Sequence, residues 1–500
     1  MGLDIQAGVR AALAGRKDAN AVAFAGSWRT VDWISRFVAE FEAALSSAGG
    51  STAQVALVSR NRPQHVATIA AQLLARRTTV MIYAAQSPQG IAADLRRLRP
   101  DVVVADIEDW SAELRQAAAE VGAAGVTIRD SADGPVHLEL APGPASLRRS
   151  QGADADIAFQ LLSSGTTGAP KRTPLSWDAV SEAVADAKAV YAPVASDQAD
   201  APSIVVHPLG NVAGVTFVVP ALVYGRPIVL LEKFELQAWV DVVRDYRPLR
   251  ASVPPVAIGM LLDAAIPSSD LQSLTAVGVG GGKLDPDLQV RFERTYGIPV
   301  LPGFGATEFG GVIANWTIDL HREFSASKRG SVGRARPGVA LRIADPDSGA
   351  SLADGQIGLL EAKVSRIGPD WVRTTDLASL DTDGFLFLHG RADQAINRGG
   401  FKVLPESVAA VLRQHPKVGD AIVIGMPDPR LGEVPVAAVE LKSPSDTLSP
   451  GELKDFARER LLAYQVPARI LVVPRLPRTE TMKVSLPQVQ ALFLAGAGQG

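Results

Sequence analysis

Short apolar runs of strand length alternate with stretches of helical period along the N-terminal part of the chain. Val55-Ala56-Leu57-Val58 and Val102-Val103-Val104-Ala105 are two such runs, and Gln64 to Ala75 between them has the length and period of a helix. This alternation predicts α/β units built on a parallel sheet. Residues 132–156 are richer in Pro, Gly, Asp and Arg and read as a connecting loop. Strand patterns resume at 204–206, 228–231, 276–279 and 300–301. Ser203 to Gly225 carries no Lys, Arg, Asp or Glu, but its Pro and Gly punctuation, with His207 and Asn211, fits a buried strand and helix better than a membrane span. From 338 to 390 the character changes. Leu341-Arg342-Ile343, Gly358-Leu359-Leu360-Glu361-Ala362 and Phe385-Leu386-Phe387-Leu388 read as short strands joined by Asp/Gly turns, a β-rich subdomain. Beyond it, helices over 406–414 and 450–461 and strands over 421–425 and 435–441 predict a small α+β domain.

Composition narrows the function classes. The chain has 500 residues, 47% apolar and 21% charged, which suits a multidomain globular protein. A net charge of −3 gives no general footprint for nucleic acid. The absence of Cys excludes disulfides, Cys–zinc sites, Fe–S clusters and a Cys nucleophile, so any thiol must arrive on another molecule. Met1 to Ile5 lacks a basic region followed by an apolar run, and Gln6 stands where a myristoylation motif has Ser or Thr. A cytoplasmic protein without a membrane span is expected.

The strongest local feature is Ser163-Ser164-Gly165-Thr166-Thr167-Gly168-Ala169-Pro170-Lys171, which follows the apolar Leu161-Leu162. Glycines let backbone N–H groups converge on an anion, hydroxyls donate further hydrogen bonds, and the ammonium supplies charge. It is a phosphate cradle in type, but not a Walker A loop, because no Gly-Lys-Ser/Thr follows at the required spacing. In Gly303-Phe304-Gly305-Ala306-Thr307-Glu308, Thr307 offers a hydroxyl to a phosphate and Glu308 a hard oxygen suited to Mg²⁺. Asp376, after Thr374-Thr375, could accept from vicinal hydroxyls, with Arg391 as the complementary donor. Asp381-Thr382-Asp383-Gly384 reads as a tight turn. Gly399-Gly400-Phe401 permits close approach of an extended ligand to backbone. Lys483 lies near the C-terminal end, where a lone lysine is usually a solvated charge.

In order and spacing, these segments resemble the adenylate-forming superfamily of acyl- and aryl-CoA synthetases, peptide-synthetase adenylation domains and beetle luciferases, over nearly the whole chain. The resemblance implies an α/β fold: a large N-terminal domain over 1–392, made of α/β subdomains plus the β-rich one, and a small mobile α+β C-terminal domain over 393–500. It implies ATP, Mg²⁺ and the co-substrate CoA, and a small-molecule carboxylic acid. Ser163, Ser164, Gly165, Thr166, Thr167, Gly168 and Lys171 would hold the β- and γ-phosphates. Thr307 would touch the α-phosphate and Glu308 the Mg²⁺. Gly281, Gly282 and Lys283 would flank the adenine with Phe304 and Gly305, and Asp376 and Arg391 would bind the ribose. Asp393 would be the hinge, Lys483 the bridge between the reacting carboxylate and the phosphates, and Gly399, Gly400 and Phe401 the path of the thiol. Asn211, Gly214 and Gly280 would line the acyl pocket; their small size favours a bulky or extended apolar acid.

The sequence departs from the family at several positions. Arg172 and Thr375 stand where Gly is usual, Phe304 where Tyr is commoner, Met482 where a Gly precedes the lysine, and Asn211 where many members have His or an aromatic. None removes a charged catalytic group. The implied activity is AMP-forming acid–CoA ligation. The alternatives are transfer of the acyl group to a carrier protein or an amine, and a nucleotide sensor with degenerate catalysis, against which Lys171, Glu308, Asp376, Arg391 and Lys483 argue. His207, His321 and His389 have no carboxylate partners in sequence and read as packing or surface residues. Asn315-Trp316-Thr317 reads as a chance glycosylation triplet.

Overall fold

The computed structural model describes residues 3–48, 54–131, 134–141, 156–163, 171–191, 201–443, 445–479 and 481–495. By packing, the chain divides into two compact units. One comprises 1–280, 284–313 and 365–368, and the other 281–283, 314–364 and 369–500.

The first unit is the α/β part anticipated from the alternating pattern. A seven-stranded sheet carries a parallel core of Ala124–Ile128, Val102–Asp106, Val55–Ser59, Thr79–Tyr83 and Ile157–Ser163. Antiparallel strands Val136–Leu140 and Lys171–Ser176 close its two edges. Strands such as Val55–Ser59 and Val102–Asp106 are buried along their whole length, which is why they read as continuous apolar runs. The strand at Val136–Leu140 falls in the segment read as a loop; flanking Gly and Pro masked an alternating edge strand. Residues 142–155 of that segment lie outside the described residues.

This unit also holds a four-stranded sheet and the three parallel strands Arg250–Val253, Ala276–Val279 and Val300–Ala306. The uncharged stretch forms the strand Ser203–Val205 and the helix Val212–Tyr224, whose apolar face packs in the main core. Asn211 caps that helix, accepting from the Gly214 amide at 2.8 Å, and Gly225 closes it in the left-handed region. Among the described residues no helix is long and apolar enough to cross a membrane.

In the second unit, strands Ser331–Ala335, Phe385–Arg391, Val372–Leu380, Gly358–Val364 and Val339–Ala344 lie antiparallel in that order. The strand Val372–Leu380 was not anticipated, because Arg373, Thr374, Thr375 and Asp376 give it a polar start. A further sheet of Phe401–Val403, Ile396–Arg398, Gly432–Leu441 and Val418–Asp428, with Arg469–Val473 parallel to Gly432–Leu441, packs its core against helices Pro405–Arg413 and Pro450–Arg458. Ser449 and Glu452 form a capping box at the second helix.

Candidate active site

In the first unit, the strands Ile157–Ser163 and Lys171–Ser176 stay paired up to Ser163 opposite Lys171. The ends of the hydroxyl-rich segment are therefore adjacent on one sheet edge. Ser164, Gly165, Thr166, Thr167 and Gly168 lie outside the described residues. Arg172, a departure from the family, turns away from a phosphate role. Its guanidinium donates to the Met81 carbonyl at 2.7 Å and to Asp94 at 3.1 Å, and burial holds its pKa below the usual arginine value.

Phe304 and Gly305 lie in the strand Val300–Ala306, which leads into a single 3₁₀ turn at Thr307–Phe309. A Cβ on Gly305 would stand 2.3 Å from the Gly311 carbonyl, so only Gly permits this approach of backbone. Gly310, at φ 64°, ends the turn, and its amide donates to the Thr307 carbonyl at 3.0 Å. Glu308 is exposed on the turn. Among the described residues no group of three or more His, Asp or Glu could hold a metal. A single exposed carboxylate fits a Mg²⁺ that keeps most of its shell as water and nucleotide phosphate.

The acyl-pocket residues divide. Asn211 is committed to its helix cap. A Cβ on Gly214 would come within 2.2 Å of the Pro208 carbonyl, so its small size serves close packing and leaves no free volume. A Cβ on Gly280 would meet nothing nearer than the Gly303 carbonyl at 3.8 Å, and this position does leave room. Asn61, which sequence reasoning missed, ties this region down. Its amide donates to the carbonyls of His207 and Leu231, both at 3.0 Å, and its oxygen accepts from the Leu209 amide at 2.9 Å. His207 packs against Phe217, with ring centroids 5.5 Å apart.

In the second unit, Asp376 and Arg391 are partners across adjacent strands. Thr374 accepts from the Asp376 amide at 3.0 Å and donates to the Leu360 carbonyl at 2.9 Å. Arg391 donates to both Asp393 oxygens, each at 3.0 Å, and to the Thr375 hydroxyl. The residue that replaces a family Gly thus orients the guanidinium.

Lys483 reaches the same neighbourhood. A Cβ on Gly281 would lie 3.7 Å from Lys483 Cε. The residue as a whole is exposed. Its ammonium end is nevertheless crowded by protein: lost hydration and the positive Arg391 push its pKa below the usual lysine value, with Asp376 opposing. Lys283 stands 3.9 Å from Glu406. Met482 holds φ 61° without being Gly, within the bridge of Arg478 to Val484. Gly399 and Gly400 form the left-handed link between Ile396–Arg398 and Phe401–Val403, at φ 57° and 90°. Phe401 is exposed and stacks on Tyr464 at 4.7 Å between centroids.

Two family models match the chain: AMP-binding enzyme over residues 9–364, and AMP-binding enzyme C-terminal domain over 407–483. The chain belongs to the AMP-binding, adenylate-forming enzyme family. 4-Coumarate–CoA ligase 3 of Oryza sativa subsp. japonica is 29% identical over 404 residues, which cover 77% of this chain and 73% of that protein. 4-Coumarate–CoA ligase-like 9 of Arabidopsis thaliana is 29% identical, covering 66% of this chain and 61% of that one. Among solved structures, ATP-bound MatB from Rhodopseudomonas palustris matches with a TM-score of 0.83 at 22% identity, over 99% of both chains. The amide bond synthetase McbA from Marinactinospora thermotolerans matches at 0.78 and 25% identity, over 98% of this chain and all of that one. These neighbours agree with the α/β and α+β parts described above.

Proposed function

We propose that this enzyme is an AMP-forming acid–CoA ligase. A carboxylate and a thiol do not condense at neutral pH, because oxide is a poor leaving group. In the first step a carboxylate oxygen attacks the α-phosphorus of ATP, and the bond to the β-phosphate breaks to release pyrophosphate. In the second, the CoA thiolate attacks the acyl carbon, AMP departs, and the thiol proton passes to solvent. Phosphoryl transfer of this kind needs charge neutralisation and alignment more than acid–base help.

The observation that carries the reading is the placement of the Lys483 side chain beside Gly281, in the unit where Asp376 and Arg391 are register partners on adjacent strands. An ammonium beside a ribose-binding pair can reach an α-phosphate and the carboxylate that attacks it, a proximity role as well as an electrostatic one. On this reading Lys171 and the hydroxyl-rich segment hold the outer phosphates, Thr307 the α-phosphate and Glu308 the Mg²⁺, while Gly281, Gly282, Lys283, Phe304 and Gly305 flank the adenine. Mg²⁺, when bound with ATP, neutralises charge that builds on the phosphates. Asp393 serves as the pivot between the parts 1–392 and 393–500. Rotation there withdraws Lys483 and brings Gly399, Gly400 and the exposed Phe401 to the thiol path, a motion that few residues absorb. The open wall at Gly280 supports an aromatic or other bulky apolar acid.

Likeness to an amide bond synthetase favours one further reading, an amine as the acyl acceptor. The test is a panel of acids incubated with ATP and Mg²⁺, and in turn with CoA, a carrier protein or a simple amine, with products identified by mass spectrometry. Thioester with free CoA supports the proposal. Amide or carrier-bound product alone replaces it with the corresponding alternative. Absence of ATP–pyrophosphate exchange with every acid would point to a nucleotide-binding protein without ligase chemistry.

A further inference from the structure

We infer that Arg366 is a positioning residue for the Thr307–Glu308 turn. The inference rests on the reading above of Thr307 and Glu308 as the phosphate and Mg²⁺ contacts. Arg366 belongs to the four-residue segment Ser365–Gly368, which packs with the first unit although the chain on either side of it belongs to the second. Its side chain is only 4% exposed. Its Nε donates to the Phe309 carbonyl at 2.9 Å and its Nη2 to the Val312 carbonyl, also at 2.9 Å. Its Nη1 approaches Asp186 at 3.4 Å.

The geometry explains why an arginine stands there. The 3₁₀ turn that presents Thr307 and Glu308 is one turn long, closed by the hydrogen bond from the Gly310 amide to the Thr307 carbonyl, and hydrogen-bond geometry in such turns is poor. It is followed by two glycines in unusual backbone conformations, Gly310 at φ 64° and Gly311 at φ 129°. Such a segment has wide conformational freedom unless something outside it fixes the chain. Arg366 ties down the carbonyl immediately after Glu308 and the one just beyond the glycine pair. A planar fork of donors can do this in a fixed direction, whereas an ammonium on a flexible stem cannot. The neighbouring Ser365 donates to Glu182 at 3.1 Å, and a Cβ on Gly310 would stand 3.5 Å from Arg366 Nε, which places the guanidinium close to that glycine. The buried guanidinium makes these bonds to backbone, so its effect on the nucleotide passes through the turn.

The test uses the full-length protein and measures ATP affinity by calorimetry, with saturating Mg²⁺ and again with the metal removed by a chelator. Arg366→Lys and Arg366→Met should lower the affinity measured with Mg²⁺ by about tenfold, the scale of one displaced charged contact, and the affinity without Mg²⁺ by a clearly smaller factor, since only the Thr307 contact is then lost. Arg366→Lys keeps the charge and is the variant to read if Arg366→Met does not fold. Equal losses under both conditions, or no loss under either, would overturn the inference. Glu308→Gln tests the underlying reading separately. If Glu308→Gln keeps the full effect of Mg²⁺, the role given to Glu308 falls and the inference falls with it. If Glu308→Gln loses that effect while both Arg366 variants retain it, the role of Glu308 stands and the inference alone fails.

Discussion

Asp376 and Arg391 face each other as register partners on the antiparallel strands Val372–Leu380 and Phe385–Arg391. Strand register, more than side-chain flexibility, therefore brings a carboxylate and a guanidinium to one place. The guanidinium is oriented further by the Thr375 hydroxyl and the Asp393 carboxylate.

Removing the hydroxyl should loosen this arrangement. Thr375→Val is expected to raise the KM for ATP about tenfold with a smaller change in kcat, as befits loss of a hydrogen bond to a charged group worth roughly 1.5 kcal/mol. Thr375→Ser should behave like the parent. Steady-state ATP–pyrophosphate exchange reads both, and equal KM values for the Val and parent enzymes would refute the role.

Lys483 should matter to one half-reaction only. Lys483→Ala is expected to abolish acyl-adenylate formation yet to spare thioester formation from supplied acyl-adenylate. Equal loss in the two assays would count against the assignment.

The same residue sets a pH dependence. Crowding and Arg391 lower its pKa, so the ammonium in the free enzyme loses its proton at a lower pH than an ordinary lysine. A reaction that needs the positive charge runs below that folded pKa and fades as pH rises through it. The profile of kcat/KM for ATP should therefore bend downward on its alkaline side before the ordinary lysine range near about 10.4. Lys483→Arg, whatever its maximal rate, should lack that limb.

Arg172 should be a stability residue despite its place beside Lys171. Arg172→Met strips Asp94 of one partner and leaves the Met81 carbonyl unpaired by it, although Arg97 still reaches Asp94 at 2.7 Å. A loss of about 2–3 kcal/mol is expected, less than for a wholly isolated buried charge. Thermal unfolding should show it, while the KM for ATP stays within about twofold of the parent, since no phosphate contact is lost.

Met482 carries backbone strain that its family counterpart, Gly, would not. Left-handed conformation costs a residue with a Cβ about 1–2 kcal/mol, partly offset by the greater freedom of Gly in the unfolded chain. Met482→Gly should leave the fold equally stable or raise its thermal midpoint slightly. A clear fall would mean that the Met side chain contributes packing that outweighs the strain.

Much of the fold was legible because burial leaves a periodic trace. Val55–Ser59 and Val102–Asp106 are enclosed on both faces and read as apolar runs, and the uncharged stretch from Ser203 to Gly225 reads as the strand and helix it forms. Val136–Leu140 and Val372–Leu380 were missed because edge position or polar residues dilute that trace. Ordered motifs single out Asp376, Arg391 and Lys483 as candidates. The bonds of Arg366, Asn61 and Thr375 could not, since each joins segments whose adjacency exists only after folding. Gly214 shows the opposite error: smallness looked like space, but neighbouring backbone occupies it.

The pairing of Ser163 with Lys171 has an evolutionary corollary. Because the two strands remain in step to their last residues, the tract they enclose begins and ends at positions dictated by the sheet. Mutation can therefore rewrite the composition of that tract, or add to it, without propagating a shift into the scaffold. Descendants of such a protein can vary this tract while inheriting the architecture beneath it unaltered.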